Sequence, residues 1–185
     1  MNTHEWYVGG RPATTGSPLE VDRHRRLRGP YTGVGTLLRL LVPEVRDRFP
    51  HLVRRHVIES LSVAPELAAV LDAPPETLAS VAAPEEQTRI YPALRTRRLS
   101  HGIVDFLSAC GAPDLLGLPR LSFLNLDEAD HTDQECLTLL LRRVSGDRVR
   151  IRVRSRTDDL PTELTTVLGA HATRIDVAPP GRRTD

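Results

Sequence analysis

The chain has 185 residues, of which 39% are hydrophobic and 26% charged, and its formal net charge is +1. This is enough for one domain with a real core, and it reads as globular rather than disordered. The near-neutral balance argues against a strong overall pull toward nucleic acid. All 25 basic residues are arginine, which excludes a Schiff-base lysine, a lysine general base and a P-loop lysine. The two cysteines, Cys110 and Cys136, lack metal-ligand spacing and read as buried thiols. No apolar run reaches the length of a membrane span and no signal peptide opens the chain, so the expected location is the cytoplasm.

Residues 1–22 read as a flexible or weakly structured N-terminal segment. Within it Glu5-Trp6-Tyr7-Val8 suits a short strand before Gly9-Gly10, and Arg11 to Pro18 suits a loop. Asp22 to Arg28 is a dense basic run, read as a solvated face or partner contact, with phosphate or RNA binding as the sharper alternative. Directly after it, Gly29-Pro30-Tyr31-Thr32-Gly33-Val34-Gly35-Thr36 leads into Leu37, Leu38, Leu40 and Leu41. A glycine-rich turn opening a helix places backbone N–H groups at a positive helix end, where anions sit well. The turn has the length of a Walker A loop, with Gly29 and Thr36 in matching places. Val34 and Gly35 stand where the second glycine and the lysine belong. A plain glycine turn at a helix start is the competing reading.

Pro43 is expected to end or restart that helix. Val57 to Val63 reads as a strand. Ala64-Pro65-Glu66-Leu67 opens a short helix, and Pro74-Pro75-Glu76-Thr77 and Pro84-Glu85-Glu86 open two more. Pro92 interrupts the last of these, which resumes along the stripe Leu99, Ile103, Phe106, Leu107 and Cys110. His101 beside the stripe reads as a core or boundary histidine.

Leu121 to Leu126 is a short, largely apolar run that suits a buried strand of an α/β sheet. Asp127, Glu128 and Asp130 follow it. Thr132 and Glu135 have capping-box spacing, and Leu137, Leu140, Leu141 and Val144 then recur at helical spacing up to Gly146. A buried strand that ends in acids and turns into a helix is how P-loop ATPases hold magnesium. A solvated acidic loop capping a helix fits the same residues. Arg148 to Arg154 alternates strictly, with Val149, Ile151 and Val153 facing one way and four arginines the other. One sheet face must then be open, or these arginines must meet acids, a ligand or another chain. Asp159 and Pro161 start a helix carrying Leu164, Val167 and Leu168, Thr173 to Val177 reads as a last strand, and residues 179–185 read as a mobile tail.

The stretches GPYTGVGTLLRLLVPE, LSVAPEL, LRTRRLSHGIVDFL, EADHTDQECLTLLLRRV and RSRTDDLP together resemble the nucleotide-binding-like domain of large bacterial tetratricopeptide-repeat proteins, relatives of the STAND regulatory ATPases. The similarity spans roughly Arg23 to Val177, and the pattern Ala129-Asp130-x-Thr132-Asp133-x-Glu135 with its following leucines is its most specific part. In such ATPases two acids end the strand five or six residues before the Ala-Asp pair; here those places hold Leu124 and Asn125. Asp127-Glu128-Ala129-Asp130 also resembles motif II of helicases, but the rest of a helicase core does not fit this length. Ser155-Arg156-Thr157-Asp158 stands where these ATPases carry a threonine-arginine sensor. The helical repeats are missing, which leaves a standalone version and a piece of a larger protein both open.

The resemblance implies a three-layer, P-loop-NTPase-like α/β domain over 23–178, with a mainly parallel sheet of four or five strands. It makes Gly29, Gly33, Gly35, Thr36 and Arg156 the nucleotide or phosphate candidates. Asp127 and Glu128 are metal candidates only if the literal acidic motif functions. No catalytic residue is assigned and no cofactor is required; ATP or ADP with magnesium is the ligand such a site would take. The expected role is a non-catalytic regulatory or protein-interaction module, with a protein partner or second copy met through the arginine faces. The rivals are an active ATP-dependent switch or hydrolase, and arginine-mediated nucleic-acid binding.

Overall fold

A computed structural model describes residues 4–10, 19–26, 31–72, 92–112 and 120–178. Five strands form one sheet in the order β2-β3-β4-β1-β5, and every neighbouring pair is parallel. They are β1 (His4–Val8), β2 (Glu20–Asp22), β3 (Arg120–Leu124), β4 (Arg150–Ser155) and β5 (Ala172–Asp176). Seven α-helices stand among the described residues: α1 (Thr32–Arg48), α2 (Pro50–Arg55), α3 (Val57–Val63), α4 (Ala68–Leu71), α5 (Pro92–Cys110), α6 (His131–Arg143) and α7 (Thr162–His171). This is the α/β class expected from the sequence, consistent with a three-layer arrangement. Among the described residues no helix is long and apolar enough to cross a membrane.

The two sheet faces differ because side chains alternate along each strand. Val21, Phe123, Val153 and Trp6 lie side by side across four strands, all buried, and join the core residues of α1, α5, α6 and α7. One residue along, the row reads Glu20, Ser122, Arg152, Glu5 and Thr173. This second face is polar and mostly half-buried. It answers the question raised by the alternating arginines. Arg148 and Arg150 are exposed. Arg152 donates to Glu5 at 2.6 Å, and Arg154 lies 5.1 Å from the centre of the Tyr7 ring.

The strand, capped helix, strand order read from Leu121 to Arg154 holds. β3 and β4 are adjacent and parallel, and α6 joins them. Three expectations need correction. The N-terminal segment 1–22 holds the expected strand over Glu5 to Val8 but is not otherwise a loose arm: it adds β2, and β1 lies inside the sheet between β4 and β5, because Trp6 and Val8 bury themselves in the core. Val57 to Val63 is a helix, not a strand, since Ser60, Leu61 and Val63 are buried on one side of α3. Pro43 neither ends nor restarts α1, which runs through it to Arg48 with Leu41, Val42 and Val45 anchored in the core. The expected helices at Pro74 and Pro84 lie outside the described residues, as does the 179–185 tail. Cys110 and Cys136 are free and buried, and burial pushes both thiols up to about 12, leaving them inert as nucleophiles.

Candidate functional site

In an open α/β sheet ligands sit outside the carboxyl ends of the strands, where the strand order reverses. Here the chain leaves β1 toward β2 on one side and leaves β4 toward β5 on the other, so the reversal lies between β1 and β4. The Gly9 N–H donates to the Ser155 carbonyl across this junction at 3.1 Å. Gly9 and Gly10 have φ of +86° and +45°, and a side chain on either would strike Val177 or Ala178. The sequence reading gave this turn no role. A double glycine directly after an apolar-alternating strand was its only signal.

The sequence-predicted residues fall into two groups. Asp127 and Glu128 follow β3, and Arg156 follows β4. The Arg156 backbone N–H and Nε donate to the two carboxylate oxygens of Asp127 at 3.1 and 3.0 Å, and its NH2 reaches Glu128. Asp127 holds the guanidinium pKa of Arg156 above its ordinary value, helped by Glu128. The phosphate candidate therefore bridges the two metal candidates, and the three pair with one another. Among the described residues no group of three or more His, Cys, Asp or Glu side chains is placed to hold a metal ion.

The second group is at the start of α1. Gly29 lies outside the described residues, whereas Gly33, Gly35 and Thr36 belong to the helix itself. The Gly33 and Val34 N–H groups donate to the two carboxylate oxygens of Asp133 at 2.7 and 2.9 Å. Thr36 turns its hydroxyl onto the Thr32 carbonyl at 2.7 Å, within the helix. A Cβ on Gly35 would lie 3.2 Å from the Arg39 guanidinium. The first turn of α1, read from the sequence as a phosphate cradle, holds a carboxylate of its own chain.

Asp133 is fully buried in the first turn of α6. The N-cap of α6 is not Thr132 but Asp130, whose Oδ1 accepts the Thr132 and Asp133 N–H groups at 2.9 and 3.1 Å. Thr132 uses its hydroxyl oxygen to accept the Tyr31 N–H at 3.1 Å, tying α6 to the entry of α1. Beside Asp133 lies Arg23, 1% exposed, where the sequence predicted a solvated basic run. Its NH1 donates to the Asp133 backbone carbonyl at 2.6 Å, and its guanidinium carbon lies 4.1 Å from the centre of the Phe123 ring. Burial pushes the Asp133 carboxyl above its ordinary range, against the pull of Arg23 and the two α1 amides. The sequence placed Arg23 in a basic run and Asp133 in the Ala-Asp motif, but nothing local showed that the two would be buried together.

A groove of about 570 Å³ lies between α5, α6 and α7, lined in part by Leu94, His131, Thr138 and Arg142. It includes none of the sequence-predicted site residues. No family model, curated protein or solved structure matches this chain. The resemblance to STAND-type domains rests on the quoted motifs alone.

Proposed function

We propose that this chain is a non-catalytic, P-loop-like regulatory or protein-interaction module. The observation that carries this reading is the internal pairing, among the described residues, of the groups such a site would use. Asp133 takes the amides that would cradle a phosphate, and Arg156 takes the acids that would hold magnesium. Phosphoryl transfer is catalysed almost entirely by positioning and by electrostatic stabilisation of the transferred group. One lost charged contact costs about 3 kcal/mol, on the order of a hundredfold in rate. With no lysine in the chain and both remaining charge sets engaged, turnover falls to background. The exposed arginines at the start of β4, Arg148 and Arg150, are the surface offered to an acidic protein partner.

The test is a Mg-ATP hydrolysis assay on the purified chain. The expected result is no phosphate release above the protein-free control and no difference in Thr36→Ala. Turnover that disappears in Thr36→Ala would replace this reading with the active ATPase.

A further inference from the structure

We infer that the first turn of α1 is an anion seat kept filled by the chain's own Asp133, an autoinhibitory contact that excludes small oxyanions and phosphate groups. The inference deepens the proposed function and rests on it, since a filled seat is what keeps α1 from acting as a phosphate loop.

Three observations meet at this point. The first is the pair of amides, Gly33 and Val34, which present successive N–H groups of a helix start to one carboxylate. A helix start favours negative charge there because its first N–H groups have no partner within the helix. The second is Arg23, whose Nε is buried and has no hydrogen-bond partner. A Cβ built on Gly33 would lie 3.1 Å from that Nε and 3.1 Å from Asp133 Oδ2, and would collide with Cγ of Arg23. Guanidinium, amides and carboxylate thus close around one small space, and only glycine leaves it clear. The third is that Asp133 does not cap its own helix, because Asp130 does. The Asp133 side chain serves α1, a separate element that enters the fold some 100 residues earlier.

Removing the carboxylate would leave two converging amides and an uncompensated buried guanidinium. That donor set suits a carboxylate or a tetrahedral oxyanion. Asp133→Ala should therefore lose stability and recover it on addition of acetate, formate or inorganic phosphate, in a saturable manner. The wild-type chain should gain nothing from the same anions beyond a general salt effect, which a chloride control measures.

The experiment follows thermal unfolding of both proteins against each anion and, in parallel, the amide resonances of Gly33 and Val34 by NMR. The expected result is a rise in melting temperature and a shift of those two resonances in Asp133→Ala only. Adding Arg23→Gln to the variant should weaken the recovery at least tenfold in anion concentration. If Asp133→Ala is unfolded in chloride, refolding by acetate or phosphate is the readout, and failure of every anion to refold it overturns the inference. Failure of the anions to move the Gly33 and Val34 resonances in a folded Asp133→Ala also overturns it. So does an equal response in the wild type, which would show the seat to be open. ATP turnover by the wild type would sink the proposed function on its own, whereas loss of anion rescue in the variant would sink this inference alone.

Discussion

His4 shows how much of this molecule is decided by single buried polar groups. Its Nε2 lies 3.0 Å from the Val144 carbonyl oxygen, and its Nδ1 accepts the Ile151 N–H at 3.2 Å. A carbonyl needs a donor and an N–H needs an acceptor, so the ring is neutral with its proton on Nε2. Burial lowers its pKa from the ordinary value of 6.5, against the Val144 bond and with the help of His171 at the end of α7. A folded-state pKa below the unfolded one means that acid favours the unfolded chain. The His4 contribution is present above about pH 6.5 and is lost as pH falls through the folded-state value. Urea midpoints of the wild type should drop between about pH 7.5 and about pH 5, and His4→Gln should drop less over that range. Equal slopes for the two proteins would remove His4 as the cause. Glu5, next along β1, is less exposed to acid. Burial raises its carboxyl, but the bonds from Arg152 and Tyr7 outweigh this and hold it below its ordinary value.

Among the elements, α6 best separates a sequence signal from its physical use. Thr132 and Glu135 have the spacing of a capping box, yet the side chain that caps the helix is Asp130, two residues earlier. Thr132 turned elsewhere because its hydroxyl is needed by the Tyr31 N–H at the entry of α1. Asp130→Ala should therefore cost about 1 kcal/mol of stability, the usual value of a lost N-cap. Glu135→Ala should change stability by no more than about 0.5 kcal/mol, as at a surface position. Denaturant unfolding of both variants decides the matter, and the reverse order of effects would restore the capping box. In α3 the apolar residues from Val57 to Val63 suited a strand, and only packing against the neighbouring helices made them helical. Propensity over so few residues is a weak guide once a core is present.

On the scale of the whole molecule, the position of β1 matters most. It pairs with β4 on one side and β5 on the other, so the N-terminal strand is interior to the sheet. Trp6 is 3% exposed, and its Nε1 donates to Ser155 Oγ at 3.0 Å, fastening β1 to the end of β4. Trp6→Ala should destabilise the fold by about 3–5 kcal/mol, the scale of losing a buried large aromatic side chain. A melting temperature within about 2 °C of wild type would show instead that β1 is a dispensable arm.

The sequence alone was sufficient for the α/β class, for β3, α6 and β4 as a strand, helix, strand unit, for α7 and β5, and for two buried thiols. Each rests on local periodicity or composition, which neighbouring residues reveal. It also showed that the arginines of β4 had to be exposed or partnered, because an unpaired buried charge is too costly. What the sequence could not display was which distant groups would meet. Gly33 met Asp133, Arg23 was buried against Phe123, and Arg156 closed on Asp127 and Glu128. These pairings span from about 30 to about 100 residues, and no local pattern encodes them. They follow from strand order, which brings the ends of β2, β3 and β4 together with the starts of α1 and α6. The buried charges Arg23 and Asp133 had to find partners within reach, and the exposed Arg156 paired with Asp127 and Glu128, the acids that looked like its co-ligands in the sequence.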